Sequence, residues 1–233
     1  MKHPGGSVNP PADTGAGARP AAPPDVSPDA RRRRWHGHRQ ARRAQLVEAA
    51  IRVIRRDGPN AGMDGIAAEA GVSKPVLYRH FTDQAELYLA VGQRVAGTLL
   101  RALRTELEHQ RAPRAHVAAV IGTYLGAIEA EPELYRFVTR RTFANRPVER
   151  DLVADYTTLI AAGVSRVLGD RLRAGGHDPE PAGPWGHGVV GLVQAAGDWW
   201  LDHRTISRAE LTEQLTDLVW TGLAGGLAGA PPG

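Results

Sequence analysis

The chain has 233 residues, 42% of them hydrophobic, and no cysteine. It can bury a sizeable core in one or two domains, and disulfide frameworks, thiolate metal sites and cysteine nucleophiles are excluded, which suits a reducing cytoplasm. The formal net charge of +4 is unevenly spread: residues 1–30 carry −1, residues 31–82 carry +8 and residues 83–233 carry −3. A basic segment on a neutral or acidic body is the electrostatic footprint of a protein that holds phosphates with one part only.

Residues 1 to about 30 contain seven of the seventeen prolines, almost no large apolar residue and no periodicity. Burial cannot offset their ordering entropy, and they lack the apolar run of a signal peptide, so a disordered tail is expected, extending with its basic arm to residue 38. From Arg31 to Arg43 there are seven arginines and no acid, interleaved with Trp35, His36 and His38. Two readings stand side by side. Arg31, Arg32, Arg33, Arg34, Arg42 and Arg43 form an arm that follows phosphates or enters a minor groove, or they are a solvated charge run.

Gln45 to Arg56 places Leu46, Val47, Ala50, Ile51 and Ile54 on one helical face, and Asp57, Gly58 and Pro59 end the helix. Met63 to Phe81 then reads as a short helix, a tight turn and a second helix. Ile66, Ala67 and Ala70 supply the first apolar face, Gly71 takes the strained turn backbone, and Ser73 is placed to cap the next helix with its hydroxyl. Val76, Leu77 and Phe81 can pack inward while the polar residues between them point out. Such a helix can be held on one side and reach base edges and phosphates with the other. Lys74, Val76, Tyr78 and Arg79 are the expected DNA contacts, joined by Ser73; His80 is open between a phosphate contact and packing. The helix-turn-helix domain is set at residues 39–82.

The run from Ile66 through Gly71-Val-Ser-Lys-Pro-Val-Leu-Tyr-Arg-His-Phe81 to Leu87 resembles the TetR family of bacterial transcription regulators, motif by motif from Gln45 to Val91. The resemblance implies a three-helix head, a long fourth helix, and a helical body that binds a small molecule and a second copy of the chain. The chain departs from the pattern twice. Gly62 and Gly65 stand where the family has a Thr and Glu capping box, and Gln84 stands where it commonly has Lys.

From Asp83 to about His109 Leu87, Val91, Val95, Leu99, Leu103 and Leu107 recur every fourth residue, which predicts one helix of about 40 Å capped by Thr82. Further helices are expected at residues 116–129, 133–143, 148–173 and 188–203, with the last at residues 208–227. No strand alternation competes, so the fold expected is all-α, with a ligand-binding and dimerisation domain at residues 83–228.

The family resemblance implies a cavity between the body helices, and Tyr124, Ile128, Phe137, Phe143, Tyr156, Trp185, Val189 and Val193 are the residues available to line it. Mostly apolar walls favour a hydrophobic or acyl-chain effector, and the head also looks similar to family members that govern lipid metabolism. The resemblance further implies that the last two helices meet the twin subunit, where Val190, Trp199, Trp200, Leu215, Leu218 and Gly222 are the candidates. His187 and Asp198 are too far apart on one helix to share a metal, and no cofactor is expected. No nucleophile elbow, phosphate loop or dinucleotide fingerprint is present, which argues against an enzyme. These readings converge on a homodimeric DNA-binding regulator, a repressor released from a palindromic operator by a small molecule. The competing reading is a non-specific architectural DNA-binding protein, which leaves the body unexplained.

Overall fold

The computed structural model describes residues 28–109, 111–140 and 152–227. Within them the chain forms α1 (Pro28–Asp57), α2 (Met63–Glu69), α3 (Lys74–Tyr78), α4 (Gln84–Glu108), α5 (Pro113–Ala130), α6 (Pro132–Arg140), α7 (Leu152–Ala174), α8 (Ala182–His203) and α9 (Arg208–Leu227). Among the described residues there is no strand, and no helix is long and apolar enough to cross a membrane. By compactness the chain divides into Met1–Gln40 and Ala41–Gly233; the cores and contacts below belong to the second unit.

Several element ends differ from the sequence expectation, each for a local reason. The first helix begins at Pro28, so residues 28–38 are helical where an unstructured arm was expected. Proline fits a first helical position, and the alanine and arginines after it are strong helix formers. The same logic starts α5 at Pro113 and α6 at Pro132, ahead of the expected starts at residues 116 and 133. Helix α8 starts at Ala182 and carries Pro184 in its first turn, where no hydrogen bond is lost. Helix α4 is capped by Asp83, not Thr82: the Asp83 carboxylate accepts from the Glu86 amide at 2.8 Å, and Glu86 in turn accepts from the Thr82 amide at 2.6 Å.

Two cores result. In the first, Leu46, Ile51 and Ile54 of α1 meet Ile66 of α2, Leu77 of α3 and Phe81 beyond it; Leu87, Tyr88 and Val91 of α4 and Leu134 and Phe137 of α6 close it. In the second, Ile121, Leu125 and Ile128 of α5 pack with Val193, Trp200 and Leu201 of α8 and Leu211 and Leu215 of α9. The long α4 borders α5, α6 and α7, so it joins the three-helix head to the body.

Helices α7 and α8 approach closely because Gly186 faces α7. A Cβ there would lie 2.8 Å from the Ser165 backbone nitrogen and 3.0 Å from the Ala161 carbonyl oxygen, and neither backbone atom can step aside. Gly186→Ala should therefore destabilise the chain by about 1–3 kcal/mol through overpacking. Thermal unfolding checks this, and an unchanged Tm would mean that the two helices are not held at this spacing.

Candidate functional site

The head is built around a glycine-closed turn. Helix α2 ends in a residue with left-handed backbone, Gly71 at φ +64°, and the Gly71 and Val72 amides return to the Ala68 and Ala67 carbonyls at 3.1 and 3.0 Å. This pair of bonds satisfies the last carbonyls of α2 and turns the chain into α3. As Gly62 suggested, α2 has no side-chain cap. Nor does α3, although Ser73 was expected to supply one. Pro75 has no amide to offer, and the Val76 amide already bonds the Ser73 carbonyl at 2.9 Å, so the hydroxyl finds no donor.

Helical bonding continues past Tyr78, since the Phe81 amide reaches the Leu77 carbonyl at 3.1 Å. Leu77 and Phe81 are fully buried, and Val76 is half-buried. Ser73, Lys74, Tyr78 and Arg79 are exposed, with Pro75 added to the face the sequence reading named. Tyr78 is 43% exposed, so its hydroxyl is open to a partner. His80 is half-buried at the end of this segment.

The basic residues divide into two kinds. Arg79 forms no ion pair among the described residues, and Arg42 reaches only its own helix neighbour Gln45, at 2.9 Å. Lys74 is paired with Asp64 of α2 at 3.0 Å, and that hydrogen bond pushes its ammonium above the ordinary lysine range. Arg43 is committed inward, which corrects its assignment to a phosphate. Its Nη1 donates to the His80 carbonyl at 2.6 Å, its Nη2 lies 2.8 Å from Glu86, and its guanidinium sits 4.1 Å over the Phe81 ring. The side chain ties α1 to the end of the recognition segment and the start of α4. Arg31, Arg32, Arg33 and Arg34 lie on α1, but their side chains fall outside the described residues. Gln84, in place of the family's Lys, donates to the Tyr88 hydroxyl, which itself donates to the Ala61 carbonyl.

Beneath the head lies a cavity of about 440 Å³. Val95, Leu99 and Leu103 of α4 form one wall, Leu134, Tyr135 and Val138 of α6 a second, and Ile51 of α1 reaches it from the head. Its polar side chains already have partners. The Tyr135 hydroxyl donates to Asp198, so the Tyr124 hydroxyl 2.8 Å away must donate to Tyr135. Burial raises both phenols above the ordinary tyrosine range, which keeps those protons in place. Thr98 and Thr139 bond to the carbonyls four residues before them, and Tyr156 donates to the Gln93 carbonyl. Thr157 donates to Gln194 at 3.4 Å.

Of the residues expected to line this space, Tyr124, Ile128, Tyr156, Val189 and Val193 do. Phe137 does not: it is buried in the head core, edge-on to Tyr88 at 5.2 Å, because α6 packs beneath α4. Trp185 is half-buried but away from the wall, and Phe143 lies outside the described residues. The sequence reading missed the whole α6 wall. Leu134, Phe137 and Val138 make one apolar face at i, i+3 and i+4, which Tyr135 widens on one side, and that added width was the available signal.

The expected dimer surface also divides. Val190 lines the cavity, Leu215 is in the second core, and Trp200 is 1% exposed with its indole donating to the Ile206 carbonyl. Burial corrects the assignments of Trp200 and Leu215, and Val190 is half-buried. Trp199 and Leu218 are 51% and 58% exposed, Gly222 is open, and Leu192 joins them at 37%. Among the described residues no group of three or more His, Asp or Glu side chains converges on a metal site; His187 bonds its own helix at the Gly183 carbonyl.

A glycine-closed helix pair with an exposed basic second helix, on an all-helical body with a cavity between its helices, defines a helix-turn-helix transcription regulator. Residues 46–91 match the family model described as bacterial regulatory proteins, tetR family, and residues 102–230 match that of the tetracyclin repressor-like C-terminal domain. An uncharacterized HTH-type transcriptional regulator of Mycobacterium tuberculosis is 37% identical over 205 residues, covering 86% of this chain and 85% of its own. The HTH-type transcriptional activator FasR of Mycolicibacterium smegmatis is 32% identical over 188 residues, covering 80% and 84%. Among solved structures, a tetR-family transcriptional regulator from Streptomyces coelicolor superposes with TM-score 0.67 at 25% identity, over 81% of this chain and 83% of that one. The regulator FadR from Bacillus subtilis, in complex with stearoyl-CoA, shares the fold at TM-score 0.59 and 17% identity, over 76% and 96%. The chain belongs to the TetR family of transcriptional regulators.

The two kinds of basic residue make predictions that differ in Tm. Arg79→Ala should weaken binding to a cognate site by about 1–3 kcal/mol with little change in Tm, whereas Arg43→Gln should lower both affinity and Tm. Asp64→Asn should strengthen DNA binding by freeing Lys74. Fluorescence anisotropy with DNA from upstream of the chain's own gene measures all three, and an Asp64→Asn variant that binds more weakly would refute the competition between Asp64 and phosphate.

Proposed function

We propose that the chain acts in the cytoplasm as a homodimer that holds a palindromic operator and lets go when a hydrophobic, acyl-chain effector fills the cavity, and that it thereby represses transcription. The observation that carries this reading is the position of the cavity. Its wall is shared by Ile51 of α1, the lower half of the α4 stripe and α6, while the upper half of α4 and the inner residues of α6 form the head core. An effector that spreads these helices changes the angle at which each head is presented, and binds one arrangement better than the other.

An apolar wall whose hydroxyls are already satisfied asks a ligand for area and not for hydrogen bonds, and about 440 Å³ is within the range of small-molecule pockets. An acyl chain answers that description. FadR of Bacillus subtilis holds stearoyl-CoA in the same fold, which is support by analogy of fold alone.

The dimer is proposed on the exposed apolar stripe of the last two helices. Leu192, Trp199 and Leu218 are three of the five large apolar side chains exposed among the described residues. Gly188, Gly191 and Gly222 beside them have open space where a side chain would be, so a second copy can come close. Two heads then read two half-sites about 34–36 Å apart, or a multiple.

A second reading changes only the sign. FasR, similar over most of this chain, is an activator, and release from DNA by an effector would then switch transcription off.

A reporter driven by the chain's own upstream region decides the sign, and purified protein decides the rest. The dimer should protect a palindrome in that region, and dodecanoate or dodecanoyl-CoA should release it. Binding that unrelated competitor DNA abolishes would favour the architectural alternative. Leu218→Glu should split the dimer in sedimentation velocity and cut operator affinity by at least about tenfold, the loss of one of two cooperating heads; an intact dimer would place the interface elsewhere.

A further inference from the structure

Four charged side chains line the cavity among the described residues, and they form two ion pairs. Arg94 of α4 lies 2.9 Å from Glu48 of α1, and Arg55 of α1 lies 2.7 Å from Glu131, the residue that ends α5. Each pair joins the first helix of the head to an element of the body. The four side chains are 38–55% exposed, so the pairs stand where the cavity meets water. Half-exposed pairs of this kind are weak and change partners readily. The remaining wall is apolar or already hydrogen-bonded. The charge a ligand can address is therefore confined to these two pairs, whose α1 members Glu48 and Arg55 are seven residues apart, about two helical turns along one face.

We propose that the cavity recognises an anionic amphiphile, whose chain fills the apolar wall and whose acidic group takes Arg94 from Glu48 and Arg55 from Glu131. This rests on the reading of the cavity as the effector site. The exchange gives the ligand charge-assisted hydrogen bonds, and it leaves Glu48 unpaired beside a second negative charge. The direct ties of α1 to α4 and to the α5–α6 junction are thereby replaced by a bridge through the ligand, held by Arg55 of α1 and Arg94 of α4. A neutral chain of equal length fills the same space and leaves both pairs closed. The anion is the carboxylate of a free fatty acid or the phosphates of an acyl-coenzyme A, which share this chemistry.

Isothermal titration of the full chain with dodecanoate, dodecanoyl-CoA and 1-dodecanol below their micellar concentrations tests the proposal, using wild type, Arg94→Gln, Arg55→Gln and Glu48→Gln. An anionic probe should bind wild type at least about tenfold more tightly than the alcohol, equivalent to about 1.4 kcal/mol. Arg94→Gln and Arg55→Gln should each reduce that advantage. Glu48→Gln, which frees Arg94, should increase anion affinity and leave alcohol affinity unchanged; opposite changes in variants at neighbouring positions cannot both come from misfolding. Preference for dodecanoyl-CoA assigns the clamp to phosphates, and preference for dodecanoate to a carboxylate. Equal affinity for acid, thioester and alcohol, untouched by Arg94→Gln, overturns the clamp while the effector reading stands. No binding of any probe overturns both.

Discussion

Helix α4 carries one apolar stripe, and two different structures cover it. Leu87 and Val91 lie in the core of the head, while Val95, Leu99 and Leu103 form a wall of the cavity. Because the stripe belongs to one continuous helix, a displacement at the cavity is a displacement at the head. Helix α6 repeats the arrangement crosswise, with Phe137 against Tyr88 in the head core and Tyr135 and Val138 facing the cavity. The head is thus not an independent three-helix module: it completes its core with α4 and α6, so the contacts that fold it also connect it to the body.

Electrostatics around this joint follow the same division of labour. Arg43 holds α1, Phe81 and Glu86 together, and the Glu86 carboxylate it meets also receives the Thr82 amide at the start of α4. That backbone hydrogen bond, aided by Arg43, holds Glu86 below the usual carboxylate range and keeps it charged for both tasks. Other basic groups face outward, and one of them, Lys74, is balanced by Asp64. The net charge of the head segment overstates the charge free for phosphate, because part of it is spent on internal geometry.

The helix-turn-helix was legible in the sequence because three local choices agreed, although its caps did not: the spacing of Ile66 and Ala67, a glycine at Gly71, and Leu77 and Phe81 on one side of the second helix. The all-helical body was equally plain from the α4 stripe and the proline spacing. What failed was the sorting of apolar residues among destinations. Trp199 and Trp200 are neighbours of one residue type, yet the first is half exposed and the second is buried against α9. Periodicity says that such a side chain lies on an apolar face; whether that face meets a core, a cavity or another molecule depends on elements far away in sequence. The expected Ser73 and Thr82 caps failed for a smaller reason, since a cap depends on which amides its neighbours leave unpaired. Pro75 removes one and the Ser73 carbonyl takes another.

The central claim is that filling the cavity moves the two heads of a dimer relative to each other, and their separation can be measured directly. The chain has no cysteine, so a single Ala68→Cys on the exposed side of α2 accepts one spin label per subunit. Pulsed dipolar spectroscopy on the DNA complex should give one narrow distance, consistent with half-sites about one helical turn apart or a multiple, and a displaced or broader distribution once dodecanoate saturates the cavity. The absence of any dipolar coupling would contradict the dimer, and an identical distribution with the cavity filled would contradict the transmission of the signal through α1, α4 and α6.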